Sequence, residues 1–419
     1  MNNRLHSRSM RGEVRRAMRS VKARAGSRRR DEEAAALEAE TARHVAAAGL
    51  RYVRDARDGL TRKKRGSKFA YFDRHGIEIR KPEEITRINS IAIPPAYVDV
   101  WICPDPDGHI QATARDAKGR KQYRYHPRWQ AIRSAAKFER MQAFGEALPR
   151  MRRRIAAALR QPGMPREKVL AALVQLLDLT LIRVGNDEYA RTNRSYGLTT
   201  LLTRHAEVEG RTVRFEFNGK SGVQHRVALR HAGLAAFVRD CIEIPGRELF
   251  QYLDERGRRH GVSAADVNAF LQKIAGTGFT AKDFRTWGAS VIALQLLRRR
   301  ADALPGQVKR NIVATVRDVA EKLGNTPAVC RKSYVHPRLL ETYREDPAAL
   351  GALTARSIRG LRRDEALLLN FLRGKPAQMD TAEALAKSSQ ILRLRQRNQP
   401  SYRRNWPPRQ SPDRDRIAA

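Results

Sequence analysis

Pro165-Arg166-Glu167-Lys168-Val169-Leu170-Ala171-Ala172-Leu173-Val174-Gln175-Leu176-Leu177-Asp178-Leu179-Thr180-Leu181-Ile182-Arg183 begins on a proline and an acidic residue and then repeats apolar side chains at helical spacing. The apolar face is broad, as in a helix at the centre of a core. Gln175 and Asp178 interrupt it, and the run Val169–Ile182 is shorter than a membrane span. The helix brings Arg183 to its end, followed by Val184-Gly185-Asn186-Asp187-Glu188-Tyr189. Alone, an arginine there reads as a charge reaching solvent or satisfying terminal carbonyls.

On the C-terminal side, residues 203–229 read as a small antiparallel sheet. Val213, Phe215 and Phe217 alternate, Asn218-Gly219 is a hairpin signal, and Val223 to Leu229 returns. Lys220 falls just past that turn, where a lysine is ordinarily solvated and is also placed to swing into a site. Thr280-Ala281-Lys282-Asp283 starts a helix whose stripe is Phe284, Trp287, Val291 and Leu294, with Arg285 beside it in an early turn. Ile312, Val313, Val316, Val319 and Leu323 predict a further helix that stops at Gly324. Asn325 follows, and Thr326-Pro327 then opens a short segment ending at Tyr334, flanked by Arg331 and Lys332. A phenol with a pKa of about 10 is a poor nucleophile unless cations favour its anion or a base takes its proton. Residues 335–386 read as supporting helices.

On the N-terminal side, Arg-rich helices are predicted over roughly 130–160. Residues 68 to about 125 are β-rich: Lys68–Asp73, Val98–Cys103 and His109–Arg115 are separated by turn residues. In Gly119-Arg120-Lys121-Gln122-Tyr123-Arg124-Tyr125-His126, alternation sets Gln122 and Arg124 on one face and Tyr123 and Tyr125 on the other. Such interleaving suits a surface that grips phosphates and reaches base edges, and equally an amphipathic edge strand with its tyrosines in a core. Arg62-Lys63-Lys64-Arg65-Gly66 reads as a basic loop, and Asp31 to Gly49 as a helix. The segments are thus 1–50, a basic tail and helix; 51–130, a β-rich domain; 131–386, a mainly helical domain; and 387–419, a basic Arg-, Gln- and Pro-rich tail. The fold class is α+β.

The net charge is +39, and it is not confined to the ends. Residues 1–30 carry eleven basic side chains against Glu13, and 387–419 carry nine against Asp413 and Asp415, which leaves +22 between them. A folded body that basic suits a polyanionic partner, nucleic acid ahead of an anionic membrane. Cys103, Cys241 and Cys330 are too few and scattered for a disulfide framework or a zinc site, and read as thiols in a reducing cytosol. No P-loop is present, and Gly276-Thr277-Gly278 is too short for a dinucleotide fingerprint.

Arg183, Lys220, Arg285, Asn325 and Tyr334 together supply two guanidiniums, an ammonium, an amide and a phenol. Attack of a phenol on a phosphodiester builds charge on the non-bridging oxygens, which paired arginines match, and the leaving oxygen takes a proton that a lysine can deliver. Here the sequence resembles the type IB DNA topoisomerases, in particular the small bacterial and poxvirus-like branch. The matching segments are Leu181-Ile182-Arg183-Val184-Gly185-Asn186, Phe217-Asn218-Gly219-Lys220-Ser221-Gly222, Phe279-Thr280-Ala281-Lys282-Asp283-Phe284-Arg285-Thr286, and Gly324-Asn325-Thr326-Pro327 through Ser333-Tyr334. They stand in the family's order within roughly residues 68–345.

The resemblance implies a clamp around duplex DNA, built from a β-rich N-terminal domain and a mostly helical catalytic domain. It implies Tyr334 as the nucleophile of a 3′-phosphotyrosyl link, Arg183 and Arg285 as stabilisers of the pentacovalent transition state, and Lys220 as general acid toward the 5′-oxygen. Asn325 stands where much of the family has histidine; an amide donates but does not titrate, so an electrostatic role is what carries over. Gln122, Tyr123 and Tyr125 match a DNA-contacting strand, and Tyr189 a DNA-contacting tyrosine. The reaction implied needs neither ATP nor metal, on double-stranded DNA, by a monomer in the cytoplasm at the nucleoid, with no membrane partner. The alternatives are a tyrosine recombinase, whose catalytic set is similar but whose N-terminal domain is usually helical, and a non-enzymatic architectural DNA-binding protein, for which the Arg183, Lys220, Arg285, Tyr334 order has no explanation.

Overall fold

The computed structural model describes residues 38–374, apart from 40, 56, 57, 118 and 277. Both basic tails and residues 31–37 of the expected first helix lie outside these; residues 41–47 are helical. Two compact units divide the described chain, one ending at Arg133 and the other starting at Ser134. Among the described residues no helix is long and apolar enough to cross a membrane.

The first unit is a five-stranded antiparallel sheet in the order β2-β1-β3-β4-β5, with β1 at Leu60–Arg65, β2 at Lys68–Phe72, β3 at Val98–Ile102, β4 at Ile110–Arg115 and β5 at Lys121–Tyr125. Helix α1, Pro82–Ser90, covers it, with a proline at its first turn followed by Glu83 and Glu84. Ile88 from this helix packs with Leu60, Tyr71, Val100, Ile102, Ala112 and Ala114. The expected basic loop at 62–66 is instead most of β1, paired to β2 from Thr61↔Phe72 to Arg65↔Lys68. Its cations are tolerated because Arg62 donates to the carbonyls of Ile93 (3.1 Å), Pro94 (3.0 Å) and Tyr97 (2.7 Å) and lies over the Phe69 ring, while Lys63 lies over Phe72.

The second unit is mainly helical. Helix α2 (Pro127–Leu159) is continuous through Pro149 and enters this unit at Ser134. Helix α3 (Arg166–Thr180) buries Val169, Leu170, Leu173, Val174, Leu176 and Leu177, as its face predicts. Helices α4 (Asp187–Asn193), α5 (Ala232–Glu243), α6 (Ala264–Ala275), α7 (Ala281–Arg298), α8 (Pro305–Leu323), α9 (Pro327–Ser333), α10 (Pro337–Glu345), α11 (Pro347–Gly351) and α12 (Arg363–Arg373) follow. A three-stranded antiparallel sheet, β6-β7-β8, lies between α4 and α5 in sequence, with β6 at Ala206–Glu209, β7 at Thr212–Asn218 and β8 at Gln224–Arg230. Thr280 begins α7 as expected, its N–H and hydroxyl both donating to Asp283 Oδ2 at 2.8 and 2.9 Å. Val313 departs from the expected face of α8 and is exposed.

The Asn218-Gly219 signal misplaces the β7–β8 turn. The strands pair out to Asn218↔Gln224, leaving Gly219–Val223 as a five-residue loop with Lys220 inside it. Gly219 has φ −89°, and Ser221 takes the left-handed position at φ 66°. Glycine is required at 219 by proximity: a Cβ there would lie 2.5 Å from His225 Cδ2.

One buried ionic network fastens the end of the unit to its centre. Arg152 on α2 donates to both carboxylate oxygens of Glu365 on α12 (2.7 Å each) and to both of Asp178 on α3 (2.8 and 2.9 Å). Glu365 is 1% exposed. Arg152→Ala would leave that carboxylate buried with Arg362 as its remaining partner, through its backbone N–H at 2.8 Å and its guanidinium at 3.6 Å. The expected loss is about 3 kcal/mol, read as a lower denaturant midpoint at unchanged slope. A shift below about 1 kcal/mol would show Arg362 to be a sufficient partner.

Candidate active site

Helix α8 supplies the anchor of the site. Its last carbonyls carry the negative end of the helix dipole and have no partners within the helix. Gly324 closes it at φ 59°, a conformation open to glycine at no steric cost. Arg285, in the second turn of α7 and 4% exposed, donates through Nη2 to the Leu323 carbonyl at 2.8 Å. Its Nη1 donates to the carbonyl of Leu181, which ends α3 in the left-handed region at φ 56°. Arg183, two residues on, donates through Nη2 to the Gly324 carbonyl (3.2 Å) and to Asn325 Oδ1. Consecutive carbonyls at one helix end thus hold two guanidiniums side by side.

The remaining donors of this group have nowhere to go. Six buried side-chain nitrogen or oxygen atoms lack a partner among the described residues, and three of them are Arg183 Nη1, Arg285 Nε and Asn325 Nδ2. Leaving a buried donor unpaired costs about 1–3 kcal/mol, so three together on two cations and an amide mark a place built for an oxyanion. Burial lowers Arg285 to about 10, with repulsion from Arg183 adding to it and Tyr334 opposing. Burial lowers Arg183 as well, again opposed by Tyr334. An anion received between the two would relieve both.

Tyr334 stands beside this pair. Thr326 caps α9, its hydroxyl accepting from the Val329 N–H, and Tyr334 ends the helix with its N–H on the Cys330 carbonyl at 2.9 Å. Its ring is half-buried, 5.3 Å from the Arg285 guanidinium carbon and 5.1 Å from Lys137 Nζ. Lys137, from α2, also donates to the Ser333 carbonyl. Burial pulls its ammonium down to about 8, with Lys282 adding to the shift and Asp283 opposing. The Tyr334 carbonyl accepts from Ser290 Oγ at 3.1 Å, and that oxygen accepts from the His336 N–H at 3.0 Å.

The structure therefore brings Arg183, Arg285, Asn325 and Tyr334 together. Lys220 is exposed in the β7–β8 loop, and its ammonium has no partner among the described residues. Tyr189 is half-buried on α4, its N–H on Asn186 Oδ1 at 3.0 Å. Gln122, Tyr123 and Tyr125 belong to the first unit, on edge strand β5. There Gln122 donates to Asp116 Oδ2 at 2.9 Å, and the tyrosine rings stack at 5.9 Å on one face. Tyr123 is exposed, while Tyr125 packs beside Val45, Leu50 and Trp129. Among the described residues no group of three or more His, Cys, Asp or Glu could hold a metal ion.

The family model for the catalytic core of eukaryotic DNA topoisomerase I matches residues 126–357, and that for the N-terminal domain of bacterial DNA topoisomerase IB matches 68–116. A DNA topoisomerase 1B of Acanthamoeba polyphaga mimivirus is 34% identical over 298 residues, spanning 69% of this chain and 89% of that one. The chain belongs to the type IB DNA topoisomerases. By reaction class this type IB topoisomerase is an isomerase. The vaccinia virus (strain Copenhagen) DNA topoisomerase 1B is 24% identical over 238 residues, 55% of this chain and 71% of that one. The solved complex of the XerH site-specific recombinase with its difH substrate shares 16% identity over 47% of this chain and 52% of that one, with a TM-score of 0.29, too low to bear on the fold.

Two residues at the site of this type IB topoisomerase are absent from the sequence reading. Ser290 left a signal: it is a polar residue inside the stripe of α7, between Trp287 and Leu294, and is fully buried. Lys137 left none, being one cation among many on α2.

Proposed function

We propose that this enzyme relaxes supercoiled duplex DNA of both signs through a transient 3′-phosphotyrosyl link, without ATP or metal. The observation that carries this is the trio of unpaired buried donors on Arg183, Arg285 and Asn325 next to the Tyr334 ring. Tyr334 Oη attacks the phosphorus of a backbone phosphodiester, its proton passing to solvent. The P–O5′ bond breaks, and the 5′-oxygen departs as a hydroxyl with a proton from Lys220. Arg183, Arg285 and Asn325 donate to the non-bridging oxygens, whose charge grows in the transition state. Attack by the 5′-hydroxyl on the phosphotyrosine reverses every step and restores Lys220 and the phenol. The linkage energy is kept in the phosphotyrosine, so no nucleotide is consumed.

Double-stranded DNA is the partner, bound by a monomer in the cytoplasm at the nucleoid. Tyr123, exposed on edge strand β5, offers an aromatic face to it, with Gln122 held by Asp116 and Tyr125 half-buried on the same strand, and Tyr189 contacts the DNA strand near Arg183. The decisive measurement is relaxation of positively and negatively supercoiled plasmid in EDTA without ATP. Relaxation of one sign only, or none, would overturn this reading. Joining of ends from two duplexes would favour the recombinase alternative.

Lys220→Ala should slow cleavage of an ordinary strand by about 10²–10⁴-fold, the range for a positioned general acid. A substrate with sulfur at the bridging 5′ position leaves without protonation, so the variant should cleave it close to the wild-type rate. Equal slowing on both substrates would remove the general-acid role from Lys220.

A further inference from the structure

We propose that His225 is a positioning residue whose ring sets the Lys220 loop against the Gly324–Asn325 turn. This rests on the reading of Lys220 as general acid. His225 pairs with Phe217 across β7 and β8, and the two rings stack at 5.1 Å with planes 9° apart. The imidazole then meets bare backbone on two sides. A Cβ on Gly219 would lie 2.5 Å from Cδ2, and one on Gly324 would lie 2.4 Å from Cε1. Gly219 directly precedes Lys220, and Gly324 directly precedes Asn325, so one flat ring spaces the general acid from the oxyanion donors.

The loop has little else to place it. Gly219 N–H donates to the Val223 carbonyl (2.8 Å) and Gly222 N–H to the Gly219 carbonyl (3.1 Å), both within the loop itself. Lys220 is exposed and Ser221 is in the left-handed region at φ 66°. Burial first, then Arg183 and Arg285, hold His225 below the usual histidine range, which favours a neutral ring for packing on Phe217 beside two guanidiniums. Gly324 shows why this contact reaches the chemistry: its carbonyl accepts from Arg183 at 3.2 Å. A misplacement of about 1 Å in a catalytic group costs on the order of 10²-fold in rate.

The test is single-turnover cleavage by the full chain of duplexes with oxygen or sulfur at the bridging 5′ position. His225→Ala, His225→Leu, His225→Phe and Lys220→Ala are compared with wild type. His225→Ala should slow the oxygen substrate by about 10²-fold and cleave the sulfur substrate at nearly the wild-type rate. His225→Phe keeps a flat ring and should be close to wild type on both. His225→Leu keeps bulk without the ring and should follow alanine, and it carries the reading if the alanine chain does not fold. Equal slowing on both substrates, no slowing, or a phenylalanine chain as slow as alanine would overturn the proposal while Lys220→Ala is still rescued. Failure of Lys220→Ala to be rescued would instead remove the general acid, and the role of His225 with it.

Discussion

Tyr334→Phe should remove plasmid relaxation and the covalent DNA–protein adduct together, while affinity for the same duplex should stay nearly unchanged. The substitution deletes one oxygen. The ring keeps its place between Lys137 and Arg285, and the backbone keeps its bonds to Cys330 and Ser290. Nothing in the fold depends on the hydroxyl to the extent that the chemistry does. Loss of the nucleophile in an enzyme whose groups act as a unit costs on the order of 10⁶ in turnover, which on a plasmid assay is no activity at all. Adduct on a denaturing gel and binding by titration are read from the same preparation. Adduct formed by the phenylalanine chain would move the nucleophile elsewhere, and lost binding would make Tyr334 a structural residue.

Arg285→Ala should slow cleavage and religation alike, each by about 10²–10³-fold, the effect of removing one preorganised oxyanion donor. A group that binds the transition state lowers the barrier from both sides, so the cleavage equilibrium should hardly move. The same substitution strips donors from the carbonyls of Leu181 and Leu323, at a cost of about 1–3 kcal/mol in stability for an acceptor left buried. Arg285→Lys separates the two effects. An ammonium is a point charge that cannot span both carbonyls and still offer the nitrogen that Nε presents, so it should recover part of the stability and little of the rate. Slowed cleavage with normal religation would argue that Arg285 positions the tyrosine and does not stabilise the transition state.

The features of the site legible in the sequence are those encoded within a few residues. Thr280 with Asp283, Gly324 after Leu323, and Thr326-Pro327 each specify a helix end locally, and those ends are where Arg285, Asn325 and Tyr334 are placed. What pairs the residues is not local. The orientation of Arg183 depends on a carbonyl 141 positions away, and that of Arg285 on carbonyls 104 and 38 away. Strand β1 is obscured because its alternation is hidden under four consecutive cations, of which Arg62 sets its guanidinium over the Phe69 ring and Lys63 its ammonium over Phe72. The Asn218-Gly219 pair misleads for a related reason: glycine at 219 makes room for the His225 ring and does not form the turn.

The short helix α9 has a mechanical consequence. A strand joined to the Tyr334 phenol would transmit the twist of a whole DNA domain to one side chain at the end of seven helical residues. Such a helix could peel away under load if only its own turns held it. Here Lys137 grips the carbonyl just before the tyrosine, and Ser290 grips both the tyrosine carbonyl and the N–H of His336 just after it. Torque arriving at the phenol is therefore handed to α2 and α7, two of the longest helices in the unit. In the proposed reaction the protein would serve as the fixed bearing, and the swivel would be left to the rotatable bonds of the DNA itself.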